Sequence, residues 1–395
     1  MSSFRKIQPT RLFDGYATRP PGSVLVLAQD GTVAAILPPG DAGGDIEAVA
    51  GLLCPGFVNA HCHLELSHLK GLVPTGTGLV EFLMQVVTKR DTVSVDIQES
   101  IRQAEAFMEA AGIVAVGDIC NTTDSFPVKA QSRIAWTNFV EVLSFRDETA
   151  PERVRHYSEV RDLFRTLPET PYRGIAVARS SLVPHAPYSI SPLSYRLIDE
   201  ATAGEVISMH NQETPAEDEL FLHGGGDFLR LYQQFGSSSS PNPVTGRSSL
   251  QSILPRFTRG QTLLLIHNTC TSEVDLRFAL DYEQQHGIAL YFCLCPNANL
   301  YIEQRMPPVE MLLHAGARIV LGTDSLSSNY QLSIAEEIST IRKQMPLIPL
   351  DMILSWATLG GAKALRRDDV LGSFEQGKKP GGVLLDDNFQ PRKLF

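Results

Sequence analysis

No apolar run in the sequence approaches the ~20 residues of a membrane-spanning helix. The N-terminal stretch MSSFRKIQPTRLFDG has no apolar h-region, so no secretory signal is expected there. Positive charge is also scarce: 34 Lys and Arg stand against 44 Asp and Glu, a net charge of −10. Such a chain is poorly suited to coating phosphate backbones, which argues against general nucleic-acid binding but not against a small nucleoside. Cysteine is sparse: six residues over 395 positions, with only Cys54/Cys62 and Cys293/Cys295 near one another. That is no disulfide framework, and the expectation is a reduced, cytoplasmic protein with no membrane partner. There is no internal repeat and no long low-complexity tract.

What is present is a series of short Val-, Ile- and Leu-rich runs, at 56–63, 112–119, 134–142, 174–182, 205–213, 262–268, 289–296 and 318–325. Each is nearly continuously apolar, as parallel strands covered on both faces require. Helical patterns such as 96–111, 151–167 and 272–286 lie between them. Eight strands alternating with helices predict an α/β fold, a distorted (β/α)8 TIM barrel. The ends do not fit that pattern. GSVLVLAQDGTVAAIL reads as two strands around a turn, and LGSFEQGKKPGGVLLDDN is again Gly-rich and strand-like. The expected organisation is a small β-sandwich domain built from residues 1–54 and 367–395 beside a barrel of residues 55–366. The polar stretch 234–249, QFGSSSSPNPVTGRSS, is a loop after the fifth strand, either a surface insertion or a substrate lid. Apolar helix faces fit packing on the barrel and a homodimer interface equally well.

The chemistry-bearing residues fall at the C-terminal ends of these runs. PGFVNAHCHLELS brings His61 and His63, two apart and so on one face of a strand. His185 follows the fourth run in PHAPYS, and His210 closes the fifth, with Glu213 three residues later in HNQE. His267 closes the sixth, and Asp324 the eighth in GTDSLSSN. A TIM barrel builds its active site at this rim from the ends of several strands. One such histidine says little; five strands delivering His or Asp to one rim says more.

Together PGFVNAHCHLELS, PHAPYS, HNQE, CPNAN and GTDSLSSN resemble the amidohydrolase superfamily over nearly the whole chain. Within it they look most like the branch of guanine, cytosine and adenosine-type deaminases and related chlorohydrolases. Cys62 replaces the Thr usual between the first two histidines; on a strand it points away from the metal. The resemblance implies that His61, His63, His210 and Asp324 hold one divalent metal. Imidazole and carboxylate suit Zn2+ first, and also Fe2+ or Mn2+. Such a metal lowers the pKa of a water from 15.7 toward ~7, giving hydroxide that attacks an amine-bearing ring carbon so that ammonia leaves. Asp324 would take the water's proton, His267 would orient the water, and Glu213 would carry protons to the ring nitrogen and the leaving amine. Binuclear relatives use a carboxylated lysine on the fourth strand; GIAVARSSLVPHAP has none, so a single metal is expected. The cytidine-deaminase design is excluded because Pro-Cys-x-x-Cys is absent.

Three residues are candidates for a small-molecule substrate. His185 resembles the branch's substrate-contacting histidine, and Asn299 in CPNANLYI matches a pocket residue. Glu65 either binds a sugar hydroxyl or ring amine, or caps the following helix. NAHCHLELSHLKG, SFPVK and CPNANLYIEQR look like aminodeoxyfutalosine deaminases of menaquinone synthesis. Hydrolysis of an amide bond, or release of chloride, uses the same site and stays open, since fold and ligands do not fix the leaving group. A non-catalytic barrel is the remaining alternative, and the completeness of the ligand and acid/base set speaks against it.

Overall fold

The computed structural model describes residues 4–92, 94–168, 179–237 and 239–395. Strands β1 (Arg5–Leu12), β2 (Val24–Leu27), β3 (Val33–Leu37) and β4 (Ile46–Pro55) precede the barrel. The barrel strands are β5 (Phe57–Cys62), β6 (Ile113–Cys120), β7 (Ala135–Val142), β8 (Arg179–Pro184), β9 (Val206–Asn211), β10 (Thr262–His267), β11 (Ala289–Leu294) and β12 (Ile319–Leu321). Strands β13 (Gly382–Leu385) and β14 (Pro391–Lys393) close the chain. All eight expected barrel strands are present; residues 174–178 of the fourth expected run lie outside the described residues. The apolar runs are strands because they are covered on both faces: every residue of β5, β6, β7, β9 and β10 is buried. Some of the intervening helices begin on side-chain caps. Asp96 accepts the Glu99 N–H, and Ser272 forms a reciprocal capping box with Asp275.

Both termini contribute to one six-stranded sheet, ordered β14-β13-β4-β1-β2-β3. The C-terminal β13 pairs antiparallel with β4, from Gly382 opposite Pro55 to Leu385 opposite Leu52. This sandwich-like sheet is apolar on both faces. Leu25 and Leu27 pack with Ile7, Leu53 and Phe374, while Val24 and Val26 pack with Ala42.

The barrel ladder runs as two parallel four-stranded sheets, β5-β6-β7-β8 and β9-β10-β11-β12. Two seams join them. At one, the His61 carbonyl accepts the N–H groups of Thr323 (3.0 Å) and Asp324 (3.1 Å). Gly322 permits this approach, since a Cβ there would lie 2.8 Å from His61 Cβ. At the other seam, the His210 N–H donates to His185 O at 2.9 Å and Ser181 Oγ donates to Val206 O at 2.6 Å. Both seams therefore pass through site residues. Among the described residues no helix is long and apolar enough to cross a membrane.

One buried ion pair anchors the first metal-type strand. Lys129 Nζ lies 2.5 Å from Asp118 Oδ2, and both side chains are wholly buried. The ammonium also reaches Asn138 Oδ1 at 2.9 Å and sits 4.9 Å from the ring centroids of Trp136 and Phe164. The other oxygen of Asp118 accepts the Leu64 N–H at 2.8 Å, directly after His63. Replacing Lys129 by Met would strand the Asp118 charge in the interior. Denaturant unfolding of K129M should show a loss of about 3–5 kcal/mol, the usual cost of removing one partner of a buried pair. A loss under about 1 kcal/mol would contradict this account.

Candidate active site

His61 and His63 leave the end of β5 on the same side, His210 comes from β9, and Asp324 follows β12. His63 Nε2 lies 3.2 Å from His210 Nε2. Asp324 Oδ1 lies 3.5 Å from His61 Nε2 and 3.4 Å from His63 Nε2. His210 Nδ1 is 2.8 Å from His185 O, which can only accept, so the proton sits on Nδ1 and the Nε2 lone pair is turned toward His63. Two imidazole lone pairs this close repel unless a proton or a cation lies between them. Neither ring nitrogen of His61, a fully buried side chain, has a hydrogen-bond partner. An orphaned buried imidazole costs free energy that a bound cation would offset. Three imidazoles and a carboxylate converging in this way fit one divalent metal.

Burial pushes the His63 and His210 rings well below the usual histidine range, so both stay neutral and able to ligate. Burial acts on Asp324 in the opposite sense. The His61 ring 3.5 Å away and the nearby His63 and His267 rings outweigh it and hold the carboxyl well below its ordinary range. Its second oxygen accepts the Ser328 hydroxyl at 2.5 Å. His267 and Asp324 both adopt left-handed backbone, with φ of 72° and 56°, a strain that non-glycine residues rarely carry and that gathers at functional sites.

Glu213 and His267 form the second half of the site. Glu213 Oε1 lies 3.5 Å from His267 Nε2. Burial first, and then the Asp324 charge, push the Glu213 carboxyl well above the carboxylate range. That favours its neutral form, able to donate a proton. His267 is pushed down to about 4 by burial, and its Nδ1 faces Asn299 Oδ1 at 2.9 Å. That contact places the ring proton on Nδ1 and the lone pair toward Glu213.

These groups line a cavity of about 430 Å³, together with His185, Glu141, Arg90 and Arg153 and apolar side chains that include Leu66, Phe82 and Leu231. The size suits a small molecule. Of the three residues expected to touch substrate, only His185 is on the cavity wall. Glu65 is turned away: it is buried, and its carboxylate accepts the N–H groups of Asn121 (3.0 Å) and Thr122 (3.1 Å) and meets Arg90 at 3.3 Å. Those bonds leave it no reach toward a ligand, so it braces the loop after β6 and caps no helix. Asn299 sits behind His267 and fixes that ring. The loop 234–249 begins at the cavity, where Phe235 lines the wall and packs 5.5 Å from the Phe145 ring. Its middle is tethered by Asn242 Nδ2, which donates to Pro187 O and Ile190 O.

Sequence reasoning missed Glu141. It lies at the C-terminal end of β7, is 3 % exposed and lines the cavity. The signal was available: it is the sole charge in IAWTNFVEV, a run otherwise without ionisable groups.

Residues 52–394 match the amidohydrolase family model. The chain is 25% identical over 366 residues to a 5-methylthioadenosine/S-adenosylhomocysteine deaminase of Saccharophagus degradans, covering 87% of this chain and 73% of that protein. It is 26% identical over 343 residues to an aminodeoxyfutalosine deaminase of Nitratiruptor, covering 85% and 79%. Its fold is similar to the crystal structure of Helicobacter pylori aminofutalosine deaminase in complex with methylthio-coformycin, with a TM-score of 0.79 at 22% identity over 99% of this chain and 93% of that one. The chain belongs to the amidohydrolase family, and is a hydrolase acting on carbon–nitrogen bonds.

Proposed function

We propose that the protein is a deaminase of adenosine-like nucleosides, converting an amine-bearing ring carbon to a carbonyl and releasing ammonia. The observation that carries this reading is Glu213, a buried carboxyl pushed well above the ordinary carboxylate range and 3.5 Å from His267 Nε2, on the wall of the cavity that His63, His210 and Asp324 also line. In this reading residues 55–366 form the catalytic barrel, and residues 1–54 and 367–395 the sheet beside it.

His61, His63, His210 and Asp324 would hold a divalent metal, Zn2+ foremost, which would supply a water of lowered pKa at neutral pH. Asp324, a carboxylate at all relevant pH, accepts a proton from the attacking water. His267 offers its Nε2 lone pair to orient that water. Glu213 gives its proton to the ring nitrogen beside the reacting carbon, which makes the carbon electrophilic. Glu213, then a carboxylate, takes the proton of the newly added hydroxyl and passes it to the amine, which leaves as ammonia as the carbonyl forms, and the proton held by Asp324 restores Glu213. Aminodeoxyfutalosine is the substrate favoured within this class; the motifs NAHCHLELSHLKG and CPNANLYIEQR and the named relatives support it.

The test is an ammonia-release screen of the metal-loaded protein against adenosine, 5-methylthioadenosine, S-adenosylhomocysteine, aminodeoxyfutalosine and guanine. Ammonia from an aminopurine nucleoside is the expected result. Silence across the panel with metal bound would overturn the deaminase reading and point to amide-bond or chloride-releasing hydrolysis.

A further inference from the structure

Glu141 has no part in the reaction described so far, yet it is a buried carboxyl group on the wall of the reaction cavity, pushed up to about 7 by burial. Its Oε2 accepts the Asn121 amide at 2.9 Å. Its Oε1 is buried and has no hydrogen-bond partner. His210 Nδ1 lies 3.5 Å from Oε1, but that N–H is already donated to His185 O. A buried carboxylate oxygen left without a donor is costly, and it marks a place where a ligand supplies one.

The neighbourhood restricts the ligand group. A ring nitrogen of His185 lies within 4.8 Å of a Glu141 carboxylate oxygen. His185 Nδ1 is engaged by Ser189 Oγ at 2.7 Å, which leaves Nε2 available. A second metal held by Glu141, His185 and His210 is disfavoured, because the His210 Nδ1 proton is committed and its Nε2 belongs to the first cluster. An ammonium group is disfavoured too, because Arg90 and Arg153 line the same cavity. A neutral group with two adjacent donors fits both the carboxylate and the imidazole.

We propose that Glu141, with His185, binds the vicinal hydroxyls of the substrate's sugar and so selects ribonucleosides over their deoxy counterparts. This rests on the nucleoside-deaminase reading above. It assigns the sugar to the β7–β8 side of the cavity and the reacting ring to Glu213 and His267, on the β9–β10 side.

The test is binding of inosine and of 2′,3′-dideoxyinosine to the metal-loaded protein, which needs no turnover. The wild type should favour inosine by roughly 10- to 100-fold, the worth of a hydrogen bond to a charged acceptor. E141Q should reduce that preference to within about threefold while its metal content stays unchanged, a readout that a role confined to orienting His210 would not move. E141D, which keeps the charge but shortens the reach, should fall between the two. Equal or absent binding of the two ligands by the wild type, or an undiminished preference in E141Q and E141D, would overturn the assignment. Ammonia release from a dideoxynucleoside as efficient as from the ribonucleoside would also overturn it and leave the deaminase reading standing. An intact inosine preference with no ammonia from any nucleoside would do the reverse.

Discussion

Glu213→Gln should lose ammonia release by about 10²–10⁴-fold in kcat while keeping its metal and its fold. Glutamine has the same shape and sits in the same buried space, so packing around His267 is preserved. It can donate an N–H but cannot surrender a proton. Burial and the Asp324 charge favour the neutral form of the wild-type carboxyl. The amide mimics that neutral form, so the substitution isolates the proton-transfer role. Steady-state ammonia release alongside metal analysis is the measurement. A rate within a few-fold of wild type would remove Glu213 from the mechanism.

Asp324→Asn should lose turnover to a comparable extent, but with a different signature. Its Oδ1 faces the His61 and His63 ring nitrogens, and its Oδ2 is held by Ser328. An amide at this position is neutral, so the cluster loses its one anionic donor and the attacking water loses its proton acceptor. D324N should therefore give up its metal at lower chelator concentration than the wild type, whereas E213Q should not. The pair separates proton transfer from metal retention. If D324N kept both full metal and full rate, Asp324 would be neither ligand nor base.

How far the sequence was legible follows from the physics of its elements. The eight barrel strands stand out because parallel strands buried on both faces read as unbroken apolar runs. The small sheet was visible through the turn at Asp30–Gly31 and the strand-like tail. Positions at strand ends were readable as well, because polar residues interrupt the runs there. Side-chain direction beyond a strand end was not, since period-2 alternation stops where the strand stops. Glu65 follows β5 in a short 3₁₀ turn, Leu64–Leu69, and points into the protein rather than the cavity. Asn299 lies on the helix Pro296–Glu303, whose placement behind β10 is a tertiary fact. The Lys129–Asp118 pair was hidden for a related reason: a lysine at the end of a short helix reads as solvated until the fold closes over it.

The two seams of the barrel bear on how the site comes into being. His61 and His63 belong to the first four-stranded half, and His210 and Asp324 to the second. Neither half carries more than two of the four. A polypeptide ending between β8 and β9 would hold an incomplete centre, and the missing pair would arrive only when the second half docked. The proposed centre is thus complete only when both halves of the barrel are in place.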